Sequence, residues 1–308
     1  MITSFTSNVF ALAPHSTRAA SHLWRMTASI DASRFTSIAW SKAKTMAITA
    51  AIAVSMLIAS TASANQGHQP IIAVAASVAA ASESIARRFL AKTGIQVRRS
   101  AGASGNLAHQ IRRGAPFELF ISADSSYVQS IVDSGLNDGP GVTYAIGQLA
   151  LLVTKRSGLV LPTTQIPASE RENEIRRLLR DPRIERITIA NPQHAPYGRA
   201  ARESLQFLGL WEALKVKTVF GESVAQSARF ASTDSVQATL LPLGIIMHSP
   251  LANEPHWTVP TTWHQPLHQQ MILIKGASDE AKRLFAFMRD ADTRDVLSEF
   301  GFLVPASP

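Results

Sequence analysis

Two serines with small neighbours are the residues of this chain whose type and spacing could do chemistry together. Ser77 follows an apolar run at residues 72–76, and Ser104 lies in the small-residue turn 101–105. A serine hydroxyl is a neutral hydrogen-bond donor, and the unpaired amides at the start of a helix favour an anion. Serine is also a common helix N-cap. The residues alone leave two interpretations open, a pair of ordinary caps or a pair of donors for one oxyanion.

The pattern around both serines predicts a strand that runs into a helix. Alternating apolar residues at 72–76 indicate a buried strand, and a helix-spaced apolar set then ends at Gly94, which suits a left-handed C-cap. The same order repeats with an extended run at 95–97, the turn that holds Ser104, and a short helix before Gly114. The two serines are therefore predicted at adjacent strand-to-helix corners. The helix-spaced residues are Val78, Ala81, Ile85, Phe89, Leu107 and Ile111.

The alternation of strands and helices continues to the end of the chain. Asp124 is interpreted as the plain N-cap of a helix, and the extended segment 144–155 is long enough to cross from one lobe to another. Two further strand-to-helix corners are predicted at Tyr197-Gly198 and at Ser223-Val224. The predicted strands are 117–121, 187–190, 216–220, 243–247 and 271–274, and the predicted helices include 169–181, 199–208 and two that begin at Ser278 and Asp292.

Composition and alternation together predict an α/β protein of two lobes. The chain has 308 residues, of which 46% are hydrophobic, so it can bury a sizeable core. We predict residues 70–146 plus 264–308 as the first lobe and residues 147–263 as the second. Two strands would then cross between the lobes, and such a hinge permits closure with little backbone change elsewhere.

Residues 1–64 are predicted to lie outside the fold as a leader that is removed. Two lysines precede an apolar run at 46–59, and an Ala-Ser-Ala sequence ends at Ala64, which together are typical of a secretory signal peptide. The run is too short for an ordinary transmembrane span. The chain has no cysteine, so no lipoprotein anchor stands at the cleavage point. We expect cleavage after Ala64 and a soluble periplasmic protein, whose translation starts at Met26 or, as the alternative, further upstream with a long leader.

The charge of the chain excludes one class of partner. The net charge is +8, and because five basic residues and one acidic residue lie in 1–64, it falls to +4 without the leader. No basic run is interleaved with aromatic residues, and pairs such as Arg87-Arg88 and Arg112-Arg113 are predicted on solvent faces of helices. We therefore expect no nucleic-acid partner.

Several motifs occur in the order and spacing of one known family. They are VAAS at 74–77, SAGASGNLAHQIRRGAPFELFISAD at 100–124, NPQHAPYGRAA at 191–201, LGLWEALKVK at 208–217, GESVAQSARF at 221–230 and FGF at 300–302. On these motifs the chain resembles, over residues 72–302, the periplasmic molybdate-binding proteins that serve molybdate ABC importers. The resemblance implies the type II periplasmic binding fold, with two α/β lobes joined by a two-strand hinge and an anion in the cleft.

The resemblance implies an oxyanion site made by Ser77, Ser104, Tyr197 and Val224. The two serines match hydroxyl and amide donors of the first lobe, and Val224 matches a backbone amide of the second lobe. Tyr197 would contribute its amide, with or without its hydroxyl; the alternative for Tyr197 is a packing residue at the cleft rim. One departure is Met247, which stands where some members carry a tyrosine and which cannot donate a hydrogen bond.

The resemblance also implies the role of the site. The chain would be a monomeric receptor, not an enzyme, that binds molybdate and tungstate and delivers them to the membrane permease of an ABC importer. The metal would be held only through its oxyanion, with no cofactor and no direct metal ligand. Independently, a site of neutral donors favours a fully deprotonated dianion over protonated phosphate, and cavity size would decide between sulfate and molybdate.

Other functions fit these residues less well. An esterase lacks the GxSxG spacing around Ser104. A ferric site of the tyrosine-pair type is disfavoured because the chain has three tyrosines. A zinc site would need the histidines of the second half, whose spacing matches no compact zinc pattern: His248, His256, His264 and His268. The main alternative is the same fold with another oxyanion, such as sulfate or thiosulfate, and a sensor role without transport is a further one.

Overall fold

The computed structural model describes residues 68–163, 165–233 and 235–305. The predicted leader, residues 1–64, lies outside the described residues. The described chain forms two five-stranded mixed sheets with helices packed against them, which makes two α/β lobes. This is the fold class that the sequence predicts.

The sheet of the first lobe combines strands from both ends of the described chain. Its strands are β1 (Ile71–Ala75), β2 (Arg98–Gly102), β3 (Leu119–Ser122), β4 (Val142–Gly147) and β10 (Leu267–Leu273). They lie in the order β2-β1-β3-β10-β4. β1 runs parallel to β2 and β3, whereas β10 runs antiparallel to β3 and β4.

The sheet of the second lobe repeats this topology. Its strands are β5 (Leu149–Val153), β6 (Ile187–Ala190), β7 (Thr218–Gly221), β8 (Ala238–Pro242) and β9 (His256–Thr258), in the order β7-β6-β8-β5-β9. β6 runs parallel to β7 and β8, and β5 runs antiparallel to β8 and β9. In both lobes the parallel strands therefore end at one edge, where helices begin.

The helices follow the strands in regular alternation. Within the described ranges no helix combines the length and the apolar character that a membrane crossing needs. The helices are α1 (Ala79–Thr93), α2 (Ser104–Arg112), α3 (Ser125–Asp133), α4 (Ala168–Leu179), α5 (Pro196–Phe207), α6 (Trp211–Leu214), α7 (Val224–Ser232), α8 (Leu243–Met247), α9 (Asp279–Phe287) and α10 (Ala291–Glu299), with short 3-10 turns at Lys155–Ser157, Lys215–Lys217, Pro250–Asn253 and Thr261–Trp263.

Two chain segments connect the lobes. β4 continues into β5 across the single residue Gln148, so one extended stretch enters both sheets, as the pattern at 144–155 predicts. The side-chain amide of Gln148 donates to the backbone carbonyl of Gly301 (2.9 Å). The backbone carbonyl of Gln148 accepts from the Leu243 N–H (2.9 Å). The chain returns to the first sheet through residues 259–266.

The apolar spacing that predicts α1 also determines how this helix packs. Ala81, Ile85 and Phe89 are each 1% exposed and face the core. The Phe89 ring lies 5.4 Å from that of Phe287 in α9. The helix ends at Gly94 with φ of 73°, a left-handed conformation that glycine adopts without steric cost.

The first sheet is covered on both faces. Val74 and Ile121 belong to the large core, whereas Ala73 and Phe120 belong to a second cluster on the opposite face with residues of α2 and α3. Successive residues of a strand point to opposite faces, so both sets are buried only because helices cover each side. The end of β1, which precedes Ser77, is therefore held firmly, whereas β2, which precedes Ser104, is an edge strand with exposed and half-buried residues.

One predicted strand is a helix. Residues 243–247 form α8, and the strand is β8, directly before it. A segment of five residues is too short for its periodicity to tell strand from helix, and Pro242, the N-cap of α8, marks where β8 ends. A Cβ atom on Gly244 would lie 2.1 Å from the carbonyl oxygen of Phe300, so the backbone of α8 packs directly against the end of α10.

Two helices begin earlier than predicted. α5 begins at Pro196, not at residue 199, because proline suits the first helical position, where its missing N–H is not needed. The last helix begins at Ala291 instead of Asp292. Ser278 caps α9 as predicted, with its hydroxyl oxygen accepting from the Ala281 N–H (3.2 Å). The earlier start of α5 places Tyr197 inside its first turn.

Candidate functional site

A small cavity lies between the lobes, where four helices begin. The centre of a water molecule can reach about 10 Å³ of it, far less than the roughly 300–1,000 Å³ of pockets for drug-sized ligands. No charged side chain of the described residues lines the cavity. All four predicted site residues line it. The lining residues are Ala75, Ala76, Ser77, Gly102, Ala103, Ser104, Ala123, Ala195, Pro196, Tyr197 and Val224.

Ser77 lies in the turn between β1 and α1. The Val78 N–H donates to the Ala75 carbonyl (3.0 Å), and the Ala76 N–H donates to the Gly102 carbonyl (2.8 Å), which ties this corner to the next one. Ser77 is 7% exposed, and within the described ranges its hydroxyl has no hydrogen-bond partner. Since a buried hydroxyl without a partner is costly, this one is suited to a ligand that accepts its hydrogen.

Ser104 is the first residue of α2 and is buried. Its hydroxyl oxygen accepts a hydrogen bond from the Ala123 N–H (3.0 Å). That contact uses the oxygen as an acceptor and leaves the hydroxyl hydrogen to be donated elsewhere. The N-cap positions of α1 and α2 are Val78 and Ala103, neither of which makes a side-chain cap bond. The two serines are therefore not the N-caps of these helices.

The second lobe meets the cavity through the starts of α5 and α7. Tyr197 is the second residue of α5, and Val224 is the first residue of α7. The first amides of a helix have no acceptor within it, so these two N–H groups are suited to an external acceptor. Both residues are nearly inaccessible to solvent. The cavity thus has potential donors on both of its walls.

The helix N-termini around the cavity favour negative charge, although no charged side chain lines it. α1, α2, α5 and α7 begin at it, and each helix N-terminus carries the equivalent of roughly half a positive charge. These partial charges act strongly in a site from which water is largely excluded. Among the lining side chains there is no carboxylate or imidazole to accept a proton from a ligand. The arrangement suits a small, fully deprotonated anion.

The side chain of Tyr197 packs against the hinge. A Cβ atom on Gly147 would lie 2.1 Å from the Tyr197 hydroxyl oxygen and 2.7 Å from Gln269 Nε2, so the ring fits only because residue 147 is glycine. Burial raises the pKa of Tyr197 far above its usual value. Burial, with a smaller contribution from Tyr197, likewise raises the pKa of Tyr144. The Tyr197 hydroxyl therefore stays neutral beside the strand that crosses between the lobes.

Beside the cavity the two lobes touch directly at Gly105. The Gly105 N–H donates to the carbonyl of His194 (2.9 Å). A Cβ atom on Gly105 would lie 2.8 Å from the Cβ of His194 and 2.9 Å from its Cα, closer than real Cβ atoms approach. Glycine at position 105 is therefore what allows the lobes to come this close.

Sequence reasoning missed the roles of Ala123 and Asp124. Ala123 follows β3 at a third strand-to-helix corner, and this repeated pattern is a signal that could have identified it. Asp124 caps α3 by accepting from the Ser126 N–H (2.7 Å), as interpreted from the sequence. It also forms an ion pair with Arg199 of α5, in the other lobe. No local pattern predicts that second contact, because its partners lie 75 residues apart.

Met247, the departure from the family pattern, lies outside the cavity. It is 42% exposed at the end of α8, and its sulfur would lie 3.3 Å from a Cβ atom on Gly301. The nearby His248 ring stacks on Phe300 with centroids 3.9 Å apart. The donors described above are therefore unaffected by methionine at position 247.

Across the described ranges, no group of three or more histidine and acidic side chains could hold a metal ion.

Comparisons with known proteins agree with this architecture. The model of the bacterial extracellular solute-binding protein family matches residues 71–303. The molybdate-binding protein ModA of Rhodobacter capsulatus is 33% identical over 244 residues, 76% of this chain and 87% of that protein. ModA of Azotobacter vinelandii is 31% identical over 243 residues, 78% of this chain and 91% of that protein. The solved structure of the Azotobacter vinelandii periplasmic molybdate-binding protein, 27% identical, covers 77% of this chain and 100% of its own with a TM-score of 0.69. The chain belongs to the bacterial extracellular solute-binding protein family.

Proposed function

We propose that this chain is a periplasmic receptor that binds molybdate, and also tungstate, and delivers it to the permease of an ABC importer. The observation that carries the proposal is the small cavity between the lobes, lined by neutral groups at four helix N-termini. Relatives named as molybdate-binding proteins support the choice of oxyanion. Their likeness extends over most of the chain.

In this proposal each wall of the cavity holds part of the oxyanion. Ser77 and Ser104 donate their hydroxyls from the first lobe, and Tyr197 and Val224 donate their backbone amides from the second. Hydrogen bonds to a charged acceptor contribute about 1.5–3 kcal/mol each. The metal is reached only through its oxygens, so neither a direct metal ligand nor a cofactor takes part. Because the donors come from both lobes, the bound anion joins the lobes together.

The chemistry of the donors favours a dianion without a proton. The Ser104 oxygen already accepts from Ala123, and the remaining lining side chains are apolar apart from Ser77 and Tyr197. A protonated phosphate would have to bury its own hydroxyl hydrogen without a good acceptor, which costs about 1–3 kcal/mol. Molybdate and tungstate carry no such proton at neutral pH.

The same site is ill suited to catalysis. A serine nucleophile needs an adjacent general base, and neither a histidine nor a carboxylate lines the cavity beside Ser77 or Ser104. We propose a monomeric receptor whose lobes, residues 70–146 with 264–308 and residues 147–263, close as two bodies about the hinge. The permease would then recognise the closed form.

The test is a titration of the protein purified from the periplasm of an expressing bacterium. Isothermal calorimetry with molybdate, tungstate, sulfate, thiosulfate and phosphate should give tight 1:1 binding for the first two and none for the others. Tight binding of sulfate or thiosulfate would support the receptor role and contradict molybdate as its ligand. No heat with any of the five anions would contradict the proposed function. Sequencing the N-terminus of the same sample tests cleavage after Ala64.

A further inference from the structure

A charged contact bridges the cleft outside the cavity. The Arg199 guanidinium, on α5 of the second lobe, donates to the carboxylate of Asp124, the residue that caps α3 in the first lobe. The side chain of Asp124 is 6% exposed and that of Arg199 is 28% exposed, so the pair is partly shielded from water. Asp124 directly follows Ala123, and Arg199 comes two residues after Tyr197. The bridge therefore lies close to the proposed oxyanion site.

Each partner of this bridge has a second partner on its own lobe. One carboxylate oxygen of Asp124 accepts from the Ser126 N–H (2.7 Å), while the other accepts from Arg199. Arg199 Nε also lies 3.6 Å from a carboxylate oxygen of Glu203, one turn further along α5. Breaking a buried pair is costly mainly when it leaves an uncompensated charge. Here opening the cleft leaves both charges with a partner, so the bridge can form and break repeatedly.

The bridge is also connected to the hinge. Glu203, the second partner of Arg199, accepts a hydrogen bond from the Gln265 N–H (2.9 Å). Gln265 lies in the segment 259–266, through which the chain returns from the second lobe to the first. Asp124, Arg199 and Glu203 thus form a continuous polar chain from the first lobe, across the cleft, to a connecting segment.

We propose that Asp124 and Arg199 form a latch that holds the lobes closed over the bound oxyanion without touching it. This inference rests on the proposed function and adds two residues that determine affinity and release. A contact made only in the closed form stabilises that form and so strengthens ligand binding by the same factor. Partly shielded charge pairs contribute more than exposed ones, and we expect a loss of about tenfold in affinity when the latch is broken. Most of the loss should be faster dissociation of molybdate.

A double-mutant cycle tests the latch in the full-length protein. Asp124→Asn removes the charge but keeps a residue that caps helices well, and Arg199→Gln removes the other charge. Each substitution should raise the Kd for molybdate about tenfold, and the double variant should be no weaker than either single one. The melting temperature of the ligand-free protein should show little coupling between the two positions. Independent, additive losses of affinity would overturn the latch.

The pair Arg176 and Glu172 is a matched control. Both residues lie on α4 within the second lobe, with side chains 30% and 24% exposed, similar to the exposure of Arg199. Arg176→Gln and Glu172→Gln should change the melting temperature and leave the Kd for molybdate unaltered. If they weaken molybdate binding as much as the latch variants do, the effect of the latch is general destabilisation and the inference is wrong.

A distance measurement separates failure of the latch from failure of the proposed function. The native chain has no cysteine, so spin labels on Gln129→Cys and Gln206→Cys, exposed positions on α3 and α5, report only the separation of the lobes. With saturating molybdate, Asp124→Asn and Arg199→Gln should extend the label distances toward larger values, whereas without added anion the variants should give the wild-type distances. Distances that match the wild type with saturating molybdate overturn the latch. A wild-type protein that binds no molybdate contradicts the proposed function, whatever the labels report.

Discussion

The hydroxyl oxygen of Ser104 accepts the backbone N–H of Ala123 at 3.0 Å, although the two residues belong to different strand-to-helix corners. Ala123 is itself held from the hinge side, because its carbonyl accepts from Gln269 Nε2 of β10 at 3.2 Å. The Ser104 hydroxyl is therefore fixed as a donor before any ligand arrives. Donors fixed in advance lose less conformational freedom on binding, which raises affinity.

Ser104→Ala should weaken molybdate binding by more than about 1 kcal/mol, or about fivefold. The substitution removes one donor to the anion and also leaves the Ala123 N–H without its acceptor. Calorimetric titration measures the change. Ser134→Ala is the control. Ser134 is an exposed serine outside the cavity lining, and its hydroxyl donates a hydrogen bond to the Ser130 carbonyl (2.8 Å). Equal affinities for the two variants would remove Ser104 from the site.

Ser77 and Ser227 form a natural pair for a second prediction. Both are buried, and within the described ranges both hydroxyls are without a partner, but only Ser77 lines the cavity. Ser77→Ala should raise the Kd for molybdate about tenfold, whereas Ser227→Ala should leave the Kd unchanged and increase the free energy of unfolding by about 1 kcal/mol. Titration and thermal denaturation of both variants measure these quantities. A loss of affinity in Ser227→Ala equal to that in Ser77→Ala would mean that burial alone, and not a ligand contact, explains the effect.

Gly105→Ala should weaken molybdate binding and stabilise the helix that carries it. The added methyl group would meet His194 across the cleft, and such overpacking costs about 1–3 kcal/mol in the closed form. Alanine is also a better helix former than glycine, by about 0.5–1 kcal/mol, so the ligand-free protein should not lose stability. The Kd and the melting temperature of the ligand-free protein are the measurements. Asn106→Ala, at the next and exposed position of α2, should bind as the wild type does.

Glu118 should make stability depend on pH in the acidic range. Burial by itself raises the pKa of this carboxyl, but hydrogen bonds from Ser278, His68 and Ile71 outweigh burial and lower the pKa below its ordinary value of 4.5. A lowered pKa in the folded state means that the contribution is complete above pH 4.5 and is lost as the pH falls through the folded pKa. Glu118→Gln should therefore cost about 1–2 kcal/mol of unfolding free energy at pH 7 and progressively less below pH 4.5. A difference between the two proteins that stays constant from pH 7 to pH 3 would contradict this role of the carboxylate.

Much of the site follows from local sequence patterns. An apolar strand, a small-residue turn and an amphipathic helix are each recognisable within about 20 residues, so the corners at Ser77, Ser104 and Val224 are predictable from the sequence. Tyr197 was predicted at a corner as well, although the helix begins at Pro196 and includes it. The order of the strands determines which amides and hydroxyls face one cavity. The local patterns do not contain this strand order, so the choice of these four residues rests on the family resemblance.

Contacts between distant segments could not be predicted in this way. Asp124 looks like an ordinary N-cap in the sequence, and its bond to Arg199 arises only when the lobes meet. The close approach of Gly105 to His194 depends on the same meeting. The prediction of a strand at 243–247 is wrong because a segment of five residues is too short for its periodicity to tell strand from helix.

The most direct test of the account is to locate molybdenum in a crystal grown with molybdate. Anomalous diffraction at the molybdenum absorption edge should give one peak per chain, between the hydroxyls of Ser77 and Ser104 on one side and the amides of Tyr197 and Val224 on the other. A peak elsewhere on the protein, or none in crystals that contain excess molybdate, would contradict both the site and the function proposed for it.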